Sequence, residues 1–422
     1  MKVYPRETLN FASRDITHAL CSLIASPVDR GEDVRIFEQQ FARRMGCDHG
    51  IAVSSGRFAL ALILQKGGLQ PGDEVILPSF TYHAVPRILV AMKLKPVFVD
   101  SRESDFTIDP ALVEQSITSR TKAIIPTHLY GQPAEMDAII DIAEQHDLLV
   151  IEDCAQAMGA TYHGRTVGSL GDAAMFSLAI AKNLGGFGGG IITTNDSELA
   201  EMLSAEVSSF PSRTRLSLLR SVFVSSMYWF LSHPTAFKYT TYPLIYASRY
   251  MGIDAIDLIL DSIRRRPKNR GGVPRSMLKR FPDLNARILS HRLQSLDRET
   301  DGRIALAEAY NAVFEQIPGI SIARLDPQNH NTYTAYGVRV PCQDPGQLQK
   351  ILIRKGIDTR MKYMSACSEL PPFQDSRVDC PVARRLTEEL VHLPLAPHMD
   401  EEDARHIAET LRMAIIGEEK QS

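Results

Sequence analysis

Between Gly50 and about Thr194 the chain alternates short, unbroken apolar runs with segments of helical character, and this alternation restricts the fold more than any other feature. Val75-Ile76-Leu77, Pro96-Val97-Phe98-Val99, Ala123-Ile124-Ile125 and Leu148-Leu149-Val150-Ile151 offer no polar face. Strands of that kind are buried on both sides, as in a largely parallel sheet covered by helices. Residues 195–206 read as a helix, 207 to about 280 as irregular, aromatic and basic, and Asp283 to Ile317 as one long amphipathic helix ended by Pro318-Gly319. The stretch to about Met413 mixes strands, such as Tyr336-Gly337-Val338-Arg339-Val340, with helices. The expectation is an α/β protein of two lobes: a large, mostly parallel-sheet lobe over about 20–295, elaborated at about 207–276, and a smaller α+β lobe over 296–422.

A chain of 422 residues can bury a sizeable site between two such lobes. Its net charge of −3 argues against nucleic acid as a partner. The charge is unevenly spread, because Arg213 to Arg280 holds 13 Lys/Arg against Asp254, Asp257 and Asp261. Six cysteines form no C-x-x-C pair, and the N-terminus leads into no apolar signal core, which suggests free thiols and a cytoplasmic protein. The longest uncharged run, Ser221 to Phe237, contains His233 and Pro234 and falls short of the roughly 20 apolar residues of a membrane span.

Chemistry is sought in the tails of the strands, since ligands of open α/β sheets sit beyond the carboxyl ends. Lys182 follows Ser177-Leu178-Ala179-Ile180-Ala181 and precedes Asn183-Leu184-Gly185-Gly186-Phe187-Gly188-Gly189-Gly190, a place where backbone must bend or approach something closely. Standing alone, it reads equally as a surface lysine before a flexible loop. Asp153 lies just past the strand ending at Ile151, where a carboxylate can either cap a helix or hold the pyridine nitrogen of pyridoxal phosphate (PLP) protonated, which makes that ring an electron sink. Ile51-Ala52-Val53-Ser54-Ser55-Gly56-Arg57 passes from strand to helix through small residues. Such a turn suits a phosphate, or simply tight packing.

With these three elements in order, the chain resembles the DegT/DnrJ/StrS-type nucleotide-sugar aminotransferases, a branch of the fold-type I PLP enzymes. The resemblance rests on Pro71-Gly72-Asp73-Glu74-Val75-Ile76, Pro78-Ser79-Phe80-Thr81-Tyr82, His128-Leu129-Tyr130-Gly131-Gln132, Ile151-Glu152-Asp153-Cys154-Ala155-Gln156, Val167-Gly168-Ser169-Leu170-Gly171-Asp172, Phe176-Ser177 before Lys182, and Leu393-Pro394-Leu395. It implies that Lys182 binds PLP as a Schiff base and moves the proton, that Asp153 pairs with the pyridine nitrogen, and that Gln156 bonds near the phenolic oxygen. It further implies Tyr82 stacked on the ring, and Ser55, Gly56 and Ser177 on the phosphate. The implied activity takes an amino group from an amino acid, glutamate or glutamine, to a keto-sugar, most simply a nucleotide-linked one, in a homodimer; no metal is expected. A lipid-linked or other ketone as acceptor, or a non-catalytic regulatory protein on the same fold, are the competing readings. His128 reads as structural or catalytic.

Two departures stand out. The family's usual Gly-Thr in the phosphate turn is Gly56-Arg57 here, and its Asn-x-Arg-Met stretch, which reaches a neighbouring subunit's cofactor phosphate, is Leu278-Lys279-Arg280-Phe281. The expectation is that Arg57 replaces phosphate affinity lost with that Asn. The stretch at 207–276 has no counterpart of similar length in the family. It carries the only Trp (Trp229), Tyr239, Tyr242, Tyr246 and Tyr250, and ends in Arg264-Arg265-Arg266-Pro267-Lys268-Asn269-Arg270. Rings and aliphatics beside a basic cluster suit peripheral membrane contact through about 216–270; packing on the enzyme, with the arginines on an acceptor's diphosphate, is the alternative.

Overall fold

Val75, Ile76 and Leu77 are wholly buried, as are Ile124 and Ile151, so both sheet faces are dry and the apolar runs have no other place to go. The computed structural model describes residues 1–7, 9, 13–25, 31–251, 274, 277–341 and 344–419. Its strands, in chain order, begin with β1 (His49–Val53), β2 (Glu74–Pro78), β3 (Phe80–Thr81), β4 (Lys95–Val99) and β5 (Thr121–Ile124). There follow β6 (Leu149–Asp153), the hairpin β7 (Thr161–Tyr162) and β8 (Arg165–Thr166), β9 (Ala173–Ser177) and β10 (Gly190–Thr194).

Seven of these form one sheet in the order β1-β10-β9-β6-β5-β2-β4. It is parallel from β4 to β9, and β10 is antiparallel to both its neighbours. After β2 the chain lays β4 on one side and β5 on the other, so a crevice opens beyond their carboxyl ends. Two apolar clusters cover the faces, one centred on Phe37, Phe41 and Phe176, the other on the helix Gly56–Lys66, whose residues Phe58 to Leu64 are all buried.

The C-terminal sheet, β11 (Ser321–Ile322), β12 (Tyr336–Arg339), β13 (Arg360–Met361) and β15 (Leu390–Leu393), is antiparallel and ordered β11-β12-β15-β13. The helices Leu296–Phe314 and Glu401–Glu419 share its core of Tyr310, Phe314, Val338 and Leu411. Between β13 and β15, β14 (Ser365–Ala366) crosses back to pair with β3 at the mouth of the crevice. We propose 20–295 and 296–422 as the two lobes.

Two expectations are corrected. The segment Asp283 to Ile317 is two helices, Asp283–Leu293 and Leu296–Phe314. The break contains neither Pro nor Gly: the Ser295 hydroxyl lies within donating distance of the Arg292 carbonyl at 3.0 Å or of Glu299 Oε1 at 2.9 Å, and Ser295 stands at the N-cap of the second helix without a side-chain cap bond. The described part of 207–280 is not irregular but mostly helical, with helices at Arg215–Ser232 and Tyr242–Tyr250 joined through a single π turn, Phe237–Thr241. Its ends meet at the base. Arg280 N–H donates to the Pro211 carbonyl at 3.2 Å, Arg280 Nη2 to Ser212 Oγ at 2.5 Å, and the Arg280 backbone bridges to Val53. The basic cluster Arg264 to Arg270 lies outside the described residues. Among the described residues no helix is long and apolar enough to cross a membrane.

Candidate active site

Asp153 is the last residue of β6, which runs two residues past the Ile151 at which the sequence pattern ends the strand, and is 2% exposed. Its backbone bridges Thr127 beyond the end of β5, and the Thr127 hydroxyl lies 3.4 Å from that of Thr81, next to Tyr82. Burial pushes the Asp153 carboxyl above the ordinary aspartate range; the Ala155 N–H, donating to Oδ1 at 3.0 Å, and the nearby Lys182 and His128 pull the other way. The lysine and the aspartate are thus electrostatic neighbours although 29 positions separate them.

Lys182 is half-buried in the turn that joins β9 to β10. The turn closes through Leu178 N–H to the Gly189 carbonyl and Gly186 N–H to the Leu178 carbonyl, each 3.0 Å. Two side chains from the helix Asp283–Leu293 brace it: Asn285 Nδ2 donates to the Gly188 carbonyl at 2.7 Å, and the buried Arg292 guanidinium donates to the Gly185 carbonyl. Neither residue stands out in the sequence. The available signal is a long cation on the buried side of an apolar helix.

The strand-to-helix turn at Ser55-Gly56-Arg57 meets Ser177 directly. Ser55 caps the helix Gly56–Lys66 by accepting the Phe58 N–H, and a Cβ on Gly56 would lie 3.2 Å from the Cα and Cβ of Ser177. A Cβ on Gly190 would come within 2.4 Å of the Gly56 nitrogen, an overlap that only glycine avoids. Arg57 is half-buried on the first turn of this helix, where backbone N–H groups favour an anion.

Gln156 is buried, and its Oε1 has no partner among the described residues. Its carbonyl accepts from Thr334 Oγ1, which ties it to the segment leading into β12. Tyr82 is half-buried beside His83, with ring centroids 4.6 Å apart, and packs on the cluster of Phe80, Tyr130 and Met364. The structure therefore brings Lys182 within electrostatic reach of Asp153 and sets the Ser55-Gly56-Arg57 turn against Ser177, with Gln156 three residues past Asp153 and Tyr82 directly after β3.

Glu152, to which the sequence reading gives no role, is wholly buried and fully engaged. It receives His128 Nε2 at 2.9 Å and the N–H groups of Gly168, Leu170 and Gly171 at 2.8, 2.8 and 2.9 Å. Burial alone would raise its pKa, but His128 and these amides hold the carboxyl below the usual range. His128 Nδ1 accepts the Ala134 N–H at 3.0 Å. Both ring nitrogens are thus committed, which makes His128 structural. Cys154 Sγ lies within 4.8 Å of the His128 and Glu152 side-chain atoms, and burial pushes its thiol well above its ordinary pKa; the hydrogen bonds from His128 and from the turn 167–171 converge on Glu152, next to Asp153 in β6.

This architecture, with a lysine loop beside a buried strand-end carboxylate, is that of a fold-type I PLP-dependent transferase. The chain belongs to the DegT/DnrJ/EryC1/StrS aminotransferase family, whose model matches residues 13–214 and 264–412. It is 34% identical over 388 residues, 90% of this chain and 89% of the relative, to a pleiotropic regulatory protein of Geobacillus stearothermophilus. It is 33% identical over 386 residues, 90% and 87% of the two chains, to the dTDP-3-amino-3,4,6-trideoxy-α-D-glucose transaminase of Streptomyces venezuelae. Among solved structures, S. venezuelae DesV in complex with a ketimine intermediate superposes with a TM-score of 0.74 at 30% identity, covering 95% of this chain and 94% of that one. The protein is accordingly a PLP-dependent aminotransferase.

Proposed function

We propose that the enzyme transfers an amino group from glutamate or glutamine to a nucleotide-linked keto-sugar in amino-sugar biosynthesis, and that it works as a homodimer. The observation that carries the reading is the buried Asp153 at the end of β6 within the electrostatic reach of Lys182, together with the turn where Gly56 meets Ser177. The residues fit PLP. Asp153 is a desolvated carboxyl suited to a pyridinium, the partnerless Gln156 Oε1 marks a buried polar group awaiting a ligand, and the Ser55-Gly56 turn with Ser177 offers a cradle for a phosphate.

When bound, PLP supplies an electron sink for the carbon that loses its proton. Asp153 would hold the pyridine nitrogen protonated, and Gln156 would bond near the phenolic oxygen. Tyr82 would stack on the ring, while Ser55, Gly56, Arg57 and Ser177 would hold the phosphate. Lys182 Nζ would hold the cofactor covalently at rest; once the donor's amine displaces it, the freed amine would carry the proton from the donor's α-carbon and return one to the acceptor carbon in the second half-reaction. Asn285 and Arg292 brace the loop that carries Lys182.

Arg57→Thr, which restores the family's usual residue, is expected to weaken PLP retention. A charge-assisted bond to phosphate is worth about 1.5–3 kcal/mol, so the variant should bind PLP roughly ten- to a hundredfold more weakly. Equilibrium dialysis checks this, and unchanged affinity removes Arg57 from the phosphate site.

The nucleotide-linked acceptor is supported by the S. venezuelae relative, a transaminase of a dTDP-sugar. The test is an acceptor screen on purified enzyme loaded with glutamate or glutamine, following the cofactor's absorbance. Conversion to the amine form by donor, reversed by a dTDP-, UDP- or GDP-linked keto-sugar, is expected. Reversal only by a lipid-linked or other ketone overturns the acceptor but leaves the aminotransferase.

A further inference from the structure

We propose that the outward face of the helix Arg215–Ser232, with the adjoining Lys238 and Tyr239, is a docking surface for an anionic bilayer. At 100° per residue, Leu216, Leu219, Phe223, Met227 and Phe230 fall in one stripe about 100° wide. They are 76%, 46%, 67%, 43% and 54% exposed. The opposite side is used: Leu218 and Val222 are 1% exposed and join the cluster that includes Ala19 and Leu23 of the helix Ser13–Ala25. This helix therefore carries two apolar faces, separated on one side by Ser217, Ser221 and Ser225, and only one of the two is packed, a pattern that calls for an apolar partner on the other.

Charge selects the partner. No Asp or Glu occurs from Val207 to Ile253, while Arg215, Arg220 and Lys238 are exposed cations, Arg220 at the edge of the apolar stripe. A second copy docking through the same face would set cation against cation, because a two-fold interface opposes each patch to itself. An anionic membrane instead accepts the apolar side chains below its headgroups and the cations among them. Tyr239, 72% exposed, adds a ring suited to the headgroup layer. Since no described helix is long and apolar enough to cross a bilayer, the helix would lie in the plane of the surface. The family model passes over residues 215–263, so the surface belongs to this chain's own elaboration.

The test uses full-length, PLP-loaded protein sedimented with vesicles of phosphatidylcholine alone or with about 30 mol% phosphatidylglycerol, at about 50 and about 500 mM salt. Binding to the anionic vesicles only, reduced at high salt, is expected. The exposed double substitution Phe223→Ser/Phe230→Ser should lower the partition coefficient about tenfold or more, and Arg220→Glu should lower it with a smaller salt dependence, both with unchanged cofactor absorbance. Wild-type protein left in the supernatant at low salt, or binding untouched by the double substitution, overturns the proposal. So does a fall in oligomeric mass caused by the double substitution, which would assign the stripe to a second copy.

Discussion

Lys182→Ala is expected to abolish transamination, with turnover reduced by about 10⁴-fold or more, because the covalent link and the proton carrier are lost together. The variant should still take up PLP through the turn at Ser55-Gly56 and the Asp153 carboxyl, since these sit on strands and a helix that do not depend on the lysine. Its visible spectrum should be that of the unlinked aldehyde. In the wild type, borohydride followed by peptide mapping should fix the cofactor on the peptide carrying Lys182. Label on another lysine, or turnover in the alanine variant within a hundredfold of wild type, would remove Lys182 from its role.

Glu152→Ala should produce the largest loss of stability of any single substitution near the site, about 3–5 kcal/mol or more, since it strips a buried charge from its partners. The His128 Nε2 and three backbone N–H groups would be left in a dry pocket without an acceptor. Denaturant unfolding measures the effect, and Glu152→Gln, which keeps the volume and one acceptor oxygen, should lose less. The same carboxylate makes a pH prediction. Its native pKa is depressed, so its contribution is complete above the unfolded glutamate value of about 4.3 and is lost as pH falls from there through the native pKa. The wild type should therefore lose stability in that acid window more steeply than Glu152→Gln; parallel curves would sink the assignment.

The strands of the main sheet are legible in the sequence because a strand buried on both faces has no polar positions to confuse its reading, as at Val75-Ile76-Leu77. The helix Arg215–Ser232 is not. A helix signal needs one apolar and one polar side, and here two apolar faces flank a narrow stripe of Ser217, Ser221 and Ser225, so the single-face periodicity is lost. The break at Gln294-Ser295 is equally silent, because it contains neither Pro nor Gly. In the site, Lys182 and Asp153 each have a mundane local reading, and only the order of several motifs joins them. Their electrostatic contact is a property of the β6-β9 pairing, which no local window contains. Glu152 escapes notice for a related reason. Its partners at Gly168 to Gly171 read as an ordinary turn until the fold wraps them around the carboxylate.

The clasp of Arg280 on Pro211 and Val53 separates what can change in this molecule from what cannot. A chain that leaves and returns through one hydrogen-bonded neck presents the same two ends to the sheet whatever lies between them, and doubling a flexible loop's length adds only about 0.6 kcal/mol of closure cost. The parts of the outgrowth that do not pack back, unlike Leu218 and Val222, are thus free to lengthen, exchange or drift in lineages that share this scaffold, while the Gly190 backbone wedged on Gly56 leaves no room for even one added methyl. Innovation in such a protein should accumulate as grafts at the neck.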